Sequence, residues 1–284
     1  MKTLISIFVF ASSCFLLAQP NTEVYLFDIS YDQKGLPKGV KNPINISQNE
    51  GYDNQPAFWP DGKSILYSRT IKGQTEIARY FIDSKKTEII TRTLQGSEYS
   101  PTPTPNGKIS SVRLDTTGLQ LLYAYDLDGN DEILIKDLVV GYHAWVSEDE
   151  IITFVLGDTI TMQLVNVITN QNKIIGTNIG RSLHKIPNSN QFSYLDKSAE
   201  KWVIRARDAQ NGMVESLTTP IQGSEDYCWT VNNEIIMSKE NTLWIWRKGM
   251  EWKLFADLSN FGISGVTRLQ FSPSGEKLVL VVNQ

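Results

Sequence analysis

Histidine occurs twice in the 284 residues, at His143 and His184. Imidazole changes charge near neutral pH, and its neutral form ligates metals. Two converging imidazoles could share a divalent ion or pass a proton, with Glu98 or Asp226 as the carboxylate partner. A three-histidine metal site is excluded by the count alone. The competing structural reading has each imidazole bonded to the backbone of a neighbouring element. The two residues lie 41 positions apart, so they converge only if the chain repeats with about that period.

Linear signatures of catalysis are missing. There is no G-x-S-x-G, no H-E-x-x-H, no paired C-x-x-C and no phosphate loop. Asp126-Leu127-Asp128-Gly129-Asn130-Asp131-Glu132 superficially suggests calcium, but its glycine stands fourth rather than sixth. A polar hairpin turn is the expectation there. Trp244, Trp246 and Trp252 could form a platform for sugar rings, or could pack on an adjacent sheet. No cofactor is called for, although a divalent metal at the histidines stays open. Enzymatic activity is left uncertain, with a non-catalytic role favoured.

The elements that would position these residues are strands. Gly51 to Arg69 reads as a polar lead-in, an apolar run, a Pro60-Asp61-Gly62 turn and an alternating return strand. The phrase recurs at Leu269 to Leu280. Its turns fall at Gly62, Gly107, Asp149, Ser189, Asn233 and Gly275, at intervals of 45, 42, 40, 44 and 42 residues. Four short strands per period of this length predict an all-β, six-bladed propeller. Five units are complete. The sixth has two strands at the C-terminus, and the N-terminus supplies two more, near Val24–Ile29 and Ile44–Ile46, separated by a polar loop over Ser30–Pro43. The two ends are therefore expected to share one closing blade, which removes two exposed sheet edges.

Lys2, an apolar run from Leu4 to Leu17 and the exit Ala18-Gln19-Pro20 read as a signal peptide over 1–18, cleaved after Ala18. The domain would then occupy 19–284. The run is too short to span a membrane comfortably, and Cys14 is poorly placed for lipidation because Phe15-Leu16-Leu17 continues it. Cleavage would leave Cys228 alone, between Tyr227 and Trp229, as a buried inert thiol. Net charge −4 and no basic run give no footprint for nucleic acid. A periplasmic or secreted monomer is expected.

GYDNQPAFWPDGKSILYSR and RLQFSPSGEKLVLVV resemble the repeats of TolB-like, WD-repeat-type six-bladed propellers of bacterial periplasms. The likeness is strongest in the first and closing blades. It implies the fold and the compartment. It does not carry over a transport role, because related propellers serve as scaffolds, sugar-binding modules, lyases and peptidase lids.

In such a ring the first strand of each blade lines the channel, and the lead-in segments gather at one mouth. That places Asp53, Asn54, Glu98, Tyr99, Tyr142, His143, Arg181, His184, Glu225, Asp226 and Arg268 together as candidate ligand-binding residues. The resulting expectation is a binding or scaffold module acting through this polar mouth on a protein or peptide of the envelope, or on a small polar ligand. The alternative is a metal-assisted lyase or hydrolase using His143 and His184 on a sugar or peptide.

Overall fold

Period-two alternation decides where each side chain goes. In the strand Ser64–Ile71, Ile65 and Tyr67 enter one apolar cluster while Leu66, between them, enters another. A strand clad on both faces needs apolar side chains on both, and the first five residues of this one are all buried. The outermost strands contrast with it: Lys86–Ile89 and Gln171–Thr177 are largely exposed.

The computed structural model describes residues 19–284. The leader expected over 1–18, with Cys14, lies outside the described residues. The rest forms six four-stranded antiparallel sheets, the predicted six blades. Blades 1 to 5 occupy 54–89, 96–135, 140–177, 179–218 and 227–257 in chain order. The closing blade runs, from the channel outward, Val266–Phe271, Lys277–Asn283, Thr22–Tyr31 and Pro37–Asn45. Thr22–Tyr31 and Lys277–Asn283 pair in register from Thr22↔Asn283 to Asp28↔Lys277, so both chain ends build the same sheet.

One expectation was too short. The segment read as a polar loop over Ser30–Pro43 forms most of the strand Pro37–Asn45. Its two prolines are tolerated because it is an outer edge, paired on one side only, and register shifts at Leu26/Asp28 and Ser30/Tyr31 absorb the mismatch. The tight turns lie where the sequence placed them. Gly62, Gly107, Asn188, Asn233 and Gly275 take positive φ of 71°, 81°, 54°, 58° and 79°.

The core is divided among the seams between blades. Each of the six seams holds one apolar cluster fed by both neighbours. Among the described residues no helix is long and apolar enough to cross a membrane. One 3-10 turn, Leu258–Phe261, joins blade 5 to the closing blade.

Candidate functional site in the propeller channel

All six first strands line an axial cavity of about 450 Å³. Five of them break register with their neighbours, at Asn54/Ala57, Tyr99/Thr102, Val140/Tyr142, Ile179/Leu183 and Thr267/Leu269. Such bulges re-aim side chains out of the sheet pattern. Three carry a non-glycine residue with positive φ: Gln55 at 55°, Ser100 at 54° and Arg268 at 42°. Backbone held in this region by its surroundings is a mark of functional positions.

Arg268 is the clearest case. Its Nη1 donates to Asp226 Oδ1 at 3.3 Å, and its Nη2 to the Tyr142 hydroxyl at 3.1 Å. Its guanidinium carbon also sits 4.9 Å from the Tyr142 ring centre. Arg181 grips the same carboxylate from another blade, Nε to Oδ1 at 3.0 Å and Nη2 to Oδ2 at 2.6 Å. Glu225 Oε2 lies 3.6 Å from Arg181 Nε and bonds Lys197. Blades 3, 4, 5 and the closing blade are thus tied at one point. Burial alone would push the Asp226 carboxyl up, but the two guanidinia outweigh it and hold it below the ordinary range. Burial likewise opposes the charge on Arg181, and the Asp226 contact reverses that and pushes its pKa up. The Asp226 side chain is 7% exposed, against 16% for Arg268 and 34% for Arg181. Two guanidinia around one sunken carboxylate leave surplus positive charge facing the channel.

The histidines both line the cavity, on adjacent blades as the spacing predicted. His143 Nε2 lies 2.7 Å from Ser110 Oγ of the preceding blade, and the His184 ring packs 4.7 Å from Tyr227 of the following one. Burial pulls both down to about 4, so both are neutral at pH 7. His143 Nδ1 and His184 Nε2 are buried without a partner. Among the described residues, no group of three or more His, Cys, Asp or Glu gathers in a way that could hold a metal.

Other predicted residues sit elsewhere. Asp53, Asn54 and Glu98 are buried, at 0%, 5% and 0% exposure, in the seams rather than the channel wall. Tyr99 packs edge-on against Tyr52, ring centres 6.0 Å apart. Asp126 Oδ1 accepts from the backbone N–H of Asp128 and Asn130, both at 2.9 Å, which makes the acidic stretch a self-bonded turn. Trp246 belongs to the seam between blades 4 and 5, and Trp252 packs on it. Cys228 is buried, which pushes its thiol up.

Sequence reasoning missed three bridging groups. Gln55 Oε1 accepts from Ser100 N at 2.8 Å, and Gln270 Oε1 accepts from Phe58 N at 2.6 Å. Ser110 accepts the Trp145 indole N–H at 3.0 Å while it contacts His143. Their signal was positional, since each lies in a first or second strand beside the channel.

No family model matches the chain, and no curated protein matches it. Solved structures do. A TolB-like protein of Agrobacterium tumefaciens superposes with TM-score 0.73 at 12% identity, over 94% of this chain and 99% of its own. TolB from Acinetobacter baumannii gives 0.57 at 13%, over 93% of this chain and 64% of its own. A gluconolactonase of Xanthomonas campestris gives 0.65 at 9%, over 94% and 97%. At these identities the likeness carries the fold and no function. The chain is a six-bladed β-propeller whose structural neighbours include TolB-like proteins and a propeller enzyme alike.

Proposed function

We propose that the protein is an exported binding or scaffold module whose working surface is the channel mouth at Tyr142, Arg181, Asp226 and Arg268. Its partner is a protein or peptide of the cell envelope that presents a carboxylate. The observation that carries this reading is the shared grip of Arg181 and Arg268 on one buried carboxylate. Arg181, Asp226 and Arg268 all line the cavity, and Asp226 shows how the two guanidinia engage a carboxylate. An incoming acidic group would add to a pre-organised cationic wall, with Tyr142 as an apolar face beside it. Export is supported by Lys2 and the apolar run after it.

The metal-assisted lyase or hydrolase alternative gains less from the geometry. Ser110 engages one nitrogen of His143, and the remaining ring nitrogen is buried, as is His184 Nε2. The test is capture from envelope extract by the immobilised protein, in parallel with Arg268→Glu. Wild type should retain a partner that the charge reversal loses, with a binding loss of roughly tenfold or more for a buried charge contact. Equal capture by both proteins overturns the mouth as the working surface.

A further inference from the structure

Two acidic pairs are stitched into consecutive seams by closely similar bonds, which differ in that the hydroxyl reaches the first acid in one seam and the second acid in the other. Between the closing blade and blade 1, Ser47 Oγ accepts from Val24 N at 2.9 Å and donates to Glu23. Asn49 N donates to Glu23 Oε1 at 3.2 Å, and Asn49 Nδ2 to Asp53 Oδ1 at 3.3 Å. Between blades 1 and 2, Thr91 Oγ1 accepts from Ile77 N at 2.8 Å and reaches Glu98 Oε2 at 3.5 Å. Thr93 N donates to Glu76 Oε2 at 3.3 Å, and Thr93 Oγ1 to Glu98 Oε1 at 2.6 Å. Glu23 and Glu76 are thus repeat equivalents, as are Asp53 and Glu98. All four are buried: 9%, 6%, 0% and 0% exposed.

Like charges in one buried site cannot both stay ionised cheaply, so such a pair tends to keep one proton. The surroundings of each pair supply little relief. Glu98 faces Glu76 and the Tyr125 hydroxyl, which donates at 3.1 Å. Arg113, on the neighbouring strand, is taken up by Asp115 and Asp131. Asp53 faces Glu23, Tyr67 and Arg69; the Arg69 charge and the Thr70 N–H at 3.3 Å favour its ionised form, but Arg69 Nη1 bonds Ser47 O and the Tyr67 hydroxyl rather than the carboxyl, and burial outweighs both. Asp53 Oδ2 has no partner at all. Burial pushes Asp53 and Glu98 up to about 7. A surface cleft lined by Asn49, Arg69 and Thr70, residues that bond within the first seam, gives protons a route to it.

We propose that these two seams are proton-operated latches, closed while each carboxyl pair holds one proton and loosened when it is lost. The folded state then binds protons that the unfolded chain has released. Stability contributed by the latches is therefore full at low pH and falls as pH rises towards 7. Tyr52 and Tyr99, adjacent to Asp53 and Glu98 in the chain and packed on each other, would carry the loosening to the channel mouth. The inference does not depend on the proposed partner.

Hydrogen exchange of the full mature chain tests it. Protection is compared at about pH 5.5 and about pH 8, corrected for intrinsic rates. In strands Thr22–Tyr31, Gln74–Phe81 and Gly96–Pro103, protection should fall roughly tenfold or more at the higher pH. Strands Val140–Trp145 and Ile179–Lys185, in a seam without such a pair, should hold. Glu98→Gln should abolish the pH effect between blades 1 and 2 alone, and Asp53→Asn the effect at the closing seam alone. If either variant fails to fold, Glu76→Gln or Glu23→Gln carries the same expectation, because neutralising either partner removes the clash. Equal protection at both pH values in wild type, or undiminished pH dependence in the variants, overturns the latch.

Discussion

His143 and His184 make their contribution by staying neutral. Each is held down to about 4 by burial from an ordinary 6.5. The unfolded chain takes up protons below 6.5 that the folded ring refuses, so stability is intact above 6.5 and lost as pH falls towards 4. The shift corresponds to on the order of 3 kcal/mol for each imidazole. Urea unfolding free energy of the variant with both replaced by Gln, taken relative to wild type, should rise as pH falls across that range, because the variant keeps what the wild type loses. A difference between the two proteins that does not change with pH would mean the histidines carry no such loss. The opposite slope from Asp53 and Glu98 overlaps this window, so the wild-type profile should look deceptively level. At this scale the sequence revealed residue type and position along the strand, and little more. It placed Asp226 and Arg268 near one another, but nothing in the apolar pattern announces that Arg268 sits in a bulge at φ 42°. Asp53 and Glu98 obeyed the same spacing and went into the seams, because a bulge of one residue decides which way a side chain leaves the strand.

Neighbouring blades are joined by a recurring bond that runs from a first strand back to the second strand of the blade before. The Trp145 indole donates to Ser110 Oγ at 3.0 Å, and the Trp229 indole to Ser193 Oγ at 2.8 Å. Both tryptophans lie just ahead of the tight turn of their blade, where blade 1 has Trp59. Both serines are fully buried, and each keeps a second partner, His143 for Ser110 and the Tyr227 hydroxyl for Ser193, so a lost indole removes one buried hydrogen bond without stranding the oxygen. Trp145→Phe and Trp229→Phe should each cost about 1 kcal/mol in denaturant unfolding. Trp244→Phe should cost less, because its indole bonds Thr242 on the same strand, in contact with solvent. Equal costs for all three would remove the special standing of the inter-blade bond. The tryptophans were visible in the sequence at a constant offset from the turn. Their serine partners were not, because the pairing depends on which face each strand presents across the seam.

Closure is what makes the ring one object. Lys277 Nζ reaches Asp28 Oδ1 at 2.8 Å, and the Tyr31 hydroxyl donates to Gly275 O at 2.6 Å, across more than 240 residues of chain. Gln284 N bonds Asn21 O at 3.0 Å. Removing residues 265–284 deletes both inner strands of the closing blade and bares the inner edge of Thr22–Tyr31, so soluble yield and the thermal midpoint should both collapse. A truncated protein that melts at the wild-type temperature would contradict the closure seen here. The six-blade count and the shared blade were legible because they rest on turn spacing and strand number, which sequence records directly. The extra length of Pro37–Asn45 was not, since prolines on an outer edge read as loop until the unpaired side is known.

The shared blade also sets an order of events. Blades 1 to 5 are each built from contiguous chain and can form as local meanders once their own residues are available. The Thr22–Tyr31 strand is made first and yet has its inner partner, Lys277–Asn283, at the far end. Until that last segment arrives, an edge rich in Val24, Leu26 and Phe27 waits without its mate. The slow step of folding is therefore expected to be a single long-range pairing, limited by loop closure over nearly the whole chain. The closing blade thus stays open at Thr22–Tyr31 while blades 1 to 5 form, and its completion is a separate, later event.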